Sequence, residues 1–365
     1  MKLTGGSVFG LDHRMHKQTL CFENGVISET STQGEMDVTG CYVLPGLIDT
    51  HIHGAMGVGF YWSDENLQPA LDFLTAQGVT GILPTTCSET PEEMERDLRR
   101  LAFFNDERIL GIHAEGPFIN PANKGGMRLN RIQKPSCDLL RRMYEASNGK
   151  LKILTLAPEM EGAEDVIDLC LEMGIAVSMG HTSADYACAH RAVDRGVTRL
   201  THTFNGMRAF NHRDPGVLGC ALEDDRVNCE LICDLHHVSA PAIRLAIRAK
   251  GVDSITMISD GSRFSGMDDG AYFQEDRMLY IKDGLCTLED GTISGSSMCL
   301  ADGARNLFRI GYAPEQIAVM ASVNPAKLCG CTDRGELAVG YRADIVVFDQ
   351  QFRVKAVFLK GKQIK

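Results

Sequence analysis

The chain lacks long hydrophobic runs. No apolar stretch approaches the roughly 20 residues a helix needs to cross a bilayer. Its 44% apolar and 23% charged residues are those of an ordinary globular protein. The first residues also lack a charged start followed by an export-type apolar stretch, so the expected location is the cytoplasm, with no membrane partner. Positive charge is scarce: 37 Lys and Arg face 48 Asp and Glu, a net charge of −11. That balance argues against a nucleic-acid surface, while a local cluster could still bind a small anion. Paired cysteines are missing too. The 13 cysteines are scattered, and Cys170, Cys220, Cys229 and Cys233 sit inside apolar runs, as reduced core thiols do. Cys329 and Cys331 have no second pair, which removes a four-cysteine zinc site. There is no low-complexity tract and no solenoid repeat.

What is present is an alternation. At 365 residues the chain is too long for one small core. Eight strand candidates run over 43–49, 79–84, 109–113, 152–156, 175–179, 199–203, 227–233 and 254–259. Helical stretches lie between most of them, at 64–77, 91–104, 136–146, 161–173, 183–195 and 239–249. Gly78, Gly174, Gly196 and Gly251 stand where helix-stop glycines stand. Strand–helix alternation implies parallel strands, and eight repeats predict a (β/α)8 TIM-type barrel. An open doubly wound sheet is the competing fold, but no G-x-G-x-x-G turn follows the first strand. Both chain ends are β-rich and turn-rich (Asn24-Gly25, Thr39-Gly40, Lys360-Gly361). They are expected to form one small β-sandwich domain from residues 1–44 and 335–365, with the barrel at 45–334.

The chemistry-bearing residues fall where such a barrel keeps its active site, at the C-terminal ends of strands. His51 and His53 close the first strand; side chains repeat every second residue, so His-x-His aims two imidazoles to one side. Glu115 follows strand 3, His181 follows strand 5, His202 lies in strand 6 and Asp260 ends strand 8. Four histidines and two acids suffice for one or two divalent metals, with zinc or iron first and manganese or cobalt also accepted by such ligands. Each has a blander reading taken singly: a loop cap for Glu115, a core histidine for His181, a helix start for Asp260.

This pattern resembles the amidohydrolase superfamily, and within it the N-acetylglucosamine-6-phosphate deacetylases. The resemblance is carried by Pro45-Gly46-Leu47-Ile48-Asp49-Thr50-His51-Ile52-His53-Gly54, Glu115-Gly116-Pro117-Phe118, Met179-Gly180-His181-Thr182 and His202-Thr203-Phe204-Asn205-Gly206-Met207. It continues through Asn211-His212-Arg213-Asp214-Pro215-Gly216, 290–296 and 335–345. No lysine ends strand 4, where urease- and dihydroorotase-like relatives carry a bridging modified lysine. No glutamate follows His181 closely, as it does in adenosine-deaminase-like relatives.

The resemblance implies hydrolysis of an N-acetyl group from an amino sugar 6-phosphate. A metal would lower the pKa of a water toward neutrality, and Asp260 would take its proton and pass it to the departing amine. Glu115, His181 and His202 would form the core metal site. His51 and His53 would add to it or hold a second ion, with Glu115 bridging. Asn205, Gly206 and its adjacent backbone, Arg213 and His237 would bind the phosphate, with Arg213 reaching into a neighbouring subunit's site, so a homodimer is implied. Three departures stand out. Met127 occupies the place of a histidine that polarises the acetyl carbonyl in many relatives, a task a second metal could take over. The segment Asp234-Leu235-His236-His237 replaces the family's D-G-x-H, and Gly206 replaces a usual alanine. Deacetylation of N-acetylgalactosamine 6-phosphate or of another N-acyl compound is the nearest alternative. A non-catalytic sugar-phosphate sensor is a more distant one, disfavoured because a sensor needs no proton shuttle such as Asp260.

Overall fold

The structure, a computed structural model, describes residues 1–274 and 276–365. Eight parallel strands make the barrel: β1 (Leu47–Ile52), β2 (Val79–Thr86), β3 (Ile112–Glu115), β4 (Leu151–Leu156), β5 (Ala176–Met179), β6 (Arg199–Leu200), β7 (Asn228–Ile232) and β8 (Ile255–Ile258). They pair in chain order. The ring closes just beyond β8, where the Asp260 N–H donates to His51 O at 2.9 Å and the His53 N–H donates to Gly261 O at 2.7 Å. All six residues of β1 and all eight of β2 are buried, as expected of parallel strands covered on both faces.

Helices α1 (Gln68–Ala76), α2 (Pro91–Phe103), α3 (Cys137–Ala146), α4 (Ala163–Glu172), α5 (Tyr186–Arg195), α6 (Gly216–Glu223), α7 (Ala240–Lys250) and α8 (Leu300–Arg309) are distributed along the barrel sequence. Their ends follow local chemistry. Helix α2 opens with a capping box between Thr90 and Glu93 and a proline in its first turn, and it buries Met94, Leu98, Leu101 and Ala102. Helix α5 is capped by Asp185 and stops at Gly196, which sits at φ +118°.

The structure departs from the sequence expectation in four places. The apolar run at 43–49 is two strands: Tyr42–Pro45 leaves the barrel and pairs antiparallel with Ile345–Phe348. The break falls at Gly46, where any side chain would meet Thr80, since a Cβ would stand 2.1 Å from its Oγ1. Helix α1 starts at Gln68, four residues later than expected, because 64–67 belong to the loop from β1. Helix α6 was not foreseen. After β8 comes an antiparallel meander, Gly270–Gln274, Arg277–Lys282, Leu285–Leu288 and Ile293–Ser296, with its own small core of Phe264, Leu279, Ile281 and Cys286.

The chain ends build two further sheets, which form the small β domain. One has six strands in the order Lys362–Gln363, Val354–Leu359, Ile345–Phe348, Tyr42–Pro45, Ser7–Phe9, Met15–Lys17. The other has four, in the order Val26–Ser28, Leu20–Glu23, Lys2–Thr4, Glu35–Asp37. Phe22 and Phe358 meet edge to face at 5.1 Å between the two sheets, and both are buried. Replacing Phe358 by Ala removes that contact and leaves a cavity; a loss of about 3–5 kcal/mol in chemical denaturation is expected. A loss under about 1 kcal/mol would mean that the two sheets do not depend on this contact.

Candidate metal centre

Six candidate side chains come together at the barrel's C-terminal mouth. Glu115 stands at their centre. Its Oε1 lies 3.0 Å from His181 Nε2, 2.9 Å from His202 Nε2 and 3.5 Å from His51 Nε2. Its Oε2 lies 3.2 Å from His53 Nε2. Asp260 Oδ1 is 3.2 Å from His53 Nε2 and 3.6 Å from His51 Nε2. Two ligand groups result, Glu115–His181–His202 and His51–His53–Asp260, and within each the donor atoms lie inside 4.8 Å of one another. Glu115 thus reaches both groups, Oε1 meeting His181, His202 and His51 and Oε2 meeting His53.

The far nitrogens explain why the near ones converge. The His51 Nδ1–H donates to Glu230 Oε2 at 3.0 Å, the His53 Nδ1–H to Thr85 O at 3.1 Å and the His181 Nδ1–H to Asn123 O at 2.7 Å. Each acceptor fixes the proton on Nδ1 and leaves the Nε2 lone pair pointing into the centre. His51 Nε2 is buried without a hydrogen-bond partner. The Nε2 atoms of His181 and His202 face one another at 3.0 Å across the same carboxylate oxygen. Both nitrogens converge on that one oxygen, an arrangement in which a cation would find three donor atoms. The donor set of neutral imidazoles and carboxylates therefore fits a divalent metal.

The charge balance points the same way. Burial works against a charged imidazole, yet the hydrogen bonds and charges of Asp260 and Glu115 hold His53 up at about 9. His51 is likewise held well above its ordinary value, against burial, chiefly by the charge of Glu115. Burial disfavours the Glu115 and Asp260 carboxylates, but the neighbouring histidines, His51 first, hold both below the usual range. The carboxylates thus draw positive charge onto the imidazoles against burial, a charge that a divalent cation would supply in their place.

Three of these residues sit on left-handed backbone: His181 at φ +48°, His202 at +28° and Asp260 at +47°. Such conformations cost energy in non-glycine residues and collect at functional sites. They also shift positions relative to the sequence expectation. Strand β6 ends at Leu200, so His202 belongs to the turn after it, and Asp260 lies two residues beyond β8.

Beneath the centre lies a buried set the sequence reading missed. Arg199 Nη2 donates to Glu230 Oε1 at 3.0 Å, and all of Arg199, Glu230, His51 and His113 are shielded from solvent. Burial and the nearby His51 push His113 down to about 3, and its ring is held by Thr50 O and the Thr155 hydroxyl. The missed signal was a lone acid or base inside an apolar strand, as in Cys229-Glu230-Leu231 or Thr198-Arg199-Leu200.

A cleft of about 210 Å³ opens over the centre. His53, Glu115, His181, His202, Asn205, Gly206, His237 and Asp260 line it, so eight of the ten expected site residues share one cavity. His51 lies behind this first layer. Arg213 is exposed and does not line the cleft of its own chain; its N–H donates to Asn211 Oδ1 at 2.9 Å. His237 is clamped by Asp234, its Nδ1–H donating to Oδ2 at 2.6 Å, and this partner raises the imidazole above its ordinary value against the effect of burial. Gly206, at φ +59°, passes so close that a Cβ would stand 3.0 Å from His181 Nδ1. The opposite wall, from Tyr61, Trp62, Cys87, Met127 and Arg277, was not foreseen apart from the position of Met127.

The family model for the amidohydrolase family matches residues 42–364. The N-acetylglucosamine-6-phosphate deacetylase of Lysinibacillus sphaericus is 32% identical over 335 residues, covering 90% of this chain and 87% of that protein. The N-acetylgalactosamine-6-phosphate deacetylase of Escherichia coli O157:H7 is 31% identical, covering 87% of this chain and 86% of its own length. The solved structure of the N-acetyl-D-glucosamine-6-phosphate deacetylase of Mycobacterium smegmatis, a variant in complex with N-acetyl-D-glucosamine-6-phosphate, superposes with a TM-score of 0.94. It is 28% identical and covers 100% of this chain and 99% of its own.

Behind the cleft wall, Glu89 and Asp97 are both fully buried. Asp97 Oδ2 accepts the Trp62 N–H at 2.6 Å and its Oδ1 accepts the Arg96 Nε–H at 3.0 Å, while neither oxygen of Glu89 has a donor. Burial, then the Asp97 charge, holds the Glu89 carboxyl well above its ordinary 4.5. A raised folded value means that the stability from Glu89 is complete below pH 4.5 and is lost as pH rises through the folded value. Glu89→Gln keeps a donor toward Asp97 without the titration. It should raise Tm at alkaline pH, by on the order of 1–3 kcal/mol of stability, with the gap closing in acid. A Tm difference that is independent of pH would rule out the shared proton.

Proposed function

This chain belongs to the amidohydrolase family, and within it to the N-acetylglucosamine-6-phosphate deacetylase family, and we propose that it is a metal-dependent hydrolase that cleaves the N-acetyl group from N-acetylglucosamine 6-phosphate, giving glucosamine 6-phosphate and acetate. The observation that carries the chemistry is the convergence of four imidazole Nε2 atoms and two carboxylates at the barrel mouth. The same cleft could take the galacto epimer, and the 31% identity to an N-acetylgalactosamine-6-phosphate deacetylase keeps that substrate as the second reading.

Glu115, His181 and His202 would hold one ion, and His51 and His53 would complete that site or hold a second ion, with Glu115 between the two. Zinc or iron suits imidazole and carboxylate ligands best, with manganese or cobalt also acceptable. Such an ion supplies a Lewis acid and makes a water acidic enough to be deprotonated at neutral pH. Asp260 is the proton carrier in this reading: its carboxylate takes the proton of the attacking water and returns it to the amine nitrogen as the C–N bond breaks. The low proton affinity of Asp260 in the folded chain suits the first step, because a base must start ionised.

Asn205, the backbone at Gly206 and the imidazole of His237 face the cleft and would hold the phosphate. Arg213, exposed on the segment before α6, would complete that grip in the cleft of a second copy, so the working form is a homodimer. Residues 1–44 with 335–365 form the supporting unit and 45–334 the catalytic one. No helix among the described residues is long and apolar enough to cross a membrane, and the enzyme is assigned to the cytoplasm.

Acetate release from both epimers of the phosphorylated substrate, measured on protein purified without chelator and analysed for metal, tests the reading. One or two equivalents of a divalent transition metal and turnover of at least one epimer are expected; metal-free protein with full activity would refute it. Asp260→Asn should retain substrate binding while kcat falls about 10²–10⁴-fold; near-normal turnover would remove Asp260 from the proton path. Arg213→Ala should weaken kcat/KM for the phosphorylated sugar about 10–100-fold, the worth of a charged hydrogen bond, and leave the unphosphorylated sugar nearly unchanged. Equal losses on both would show that Arg213 does not touch phosphate.

A further inference from the structure

Among the described residues lining the cleft, Arg277 is the single Lys or Arg. It opens the second strand of the meander, Arg277–Lys282. One hydrogen bond fixes it: Nη1 donates to Gly126 O at 2.9 Å. Its Nε is buried and has no partner. The guanidinium is therefore anchored at one corner and its Nε is closed off by the protein, while Nη2 has no acceptor among the described residues and is the charged donor left to the cleft.

Its position says which part of the ligand. The far end of its strand reaches the turn at Asp283, whose carbonyl accepts from His236 Nε2 at 2.9 Å. Six residues of extended chain, roughly 20 Å, separate that turn from Arg277. Arg277 thus stands away from the His237 side of the cleft, where the phosphate is placed, and beside the wall of Tyr61, Trp62, Cys87 and Met127. The metal-ligand cluster lies between, with the His53 ring 5.4 Å from that of Tyr61 and Gly206 against His181. A substrate with its phosphate at one side and its amide at the cluster directs its acyl group toward Arg277.

We propose that Arg277 is a specificity-determining residue for the acyl group, and that its free Nη2 donor makes this cleft favour N-acyl groups bearing an oxygen acceptor beyond the carbonyl over apolar groups of equal size. The inference rests on the deacetylase reading above and adds the acyl subsite to it. The bond broken is the same amide C–N bond: water supplies OH to the acyl carbon and H to the nitrogen, and the products are the hydroxylated acid and the amino sugar phosphate.

The test is a pair of near-isosteric substrates, N-glycolyl- and N-propionyl-glucosamine 6-phosphate, run beside the N-acetyl compound on the metal-loaded enzyme. A hydrogen bond to a charged donor predicts that wild-type kcat/KM favours glycolyl over propionyl about 10–100-fold. Arg277→Leu should bring that ratio near one, and Arg277→Lys, which keeps the charge and loses the planar anchored guanidinium, should give an intermediate ratio. Because each ratio is taken within one protein, a general loss of activity does not disturb it, and the wild-type ratio needs no variant at all. Turnover of the N-acetyl compound with a wild-type ratio near one, or a ratio unchanged in Arg277→Leu, overturns the role of Arg277 and leaves the deacetylase reading intact. No turnover of any of the three overturns both.

Discussion

Arg199, Glu230 and His51 form a buried chain of charge through the middle of the barrel, and the orientation of the centre hangs on it. Glu230 accepts from Arg199 with one oxygen and from His51 with the other. That single carboxylate settles which nitrogen of His51 keeps its proton and where its other lone pair points. Burying an ion pair is rarely worth much for stability alone, while removing one partner leaves an uncompensated charge. Here the pairing has a positional purpose: the histidine at its end is aimed, and so is the Glu115 carboxylate that meets it.

Around this chain the centre is assembled from five different strand ends, and the backbone bears part of the cost. His181, His202 and Asp260 all occupy left-handed conformations that side chains disfavour. Strands β5, β6 and β8 end at Met179, Leu200 and Ile258, two residues before each of these three side chains. These side chains thus sit just past the regular strands, on turns bound to a rigid ring. The cleft wall of Tyr61, Trp62, Cys87, Met127 and Arg277 has a mixed origin. It is built by the loops after β1, β2 and β3 and by the meander inserted after β8, the last an element outside the repeating barrel plan.

Much of the architecture was legible in the chain. Parallel strands buried on both faces read as apolar runs, and the histidines and acids at their ends stood out because charged groups are expensive there. The eight strands and the meeting of the six ligands follow from that pattern. What was not legible has physical reasons. The split at Gly46 depends on Thr80, 34 residues away, so no local window contains it. The meander at 270–296 has a mixed polar surface and shallow burial, which blunts alternation, although Asp283-Gly284 and Asp290-Gly291 are turn dipeptides. Arg277 and Glu230 were single charged residues without a motif, and only their surroundings give them meaning.

The pairing of Tyr42–Pro45 with Ile345–Phe348 has a consequence for how the molecule is made. The segment leading into the first barrel strand emerges from the ribosome about 300 residues before its antiparallel neighbour does. Translation at 5–20 residues per second imposes a wait of roughly 15–60 s during which that edge stays open. The segment that leads into His51 and His53 therefore gains its second strand neighbour only late in synthesis.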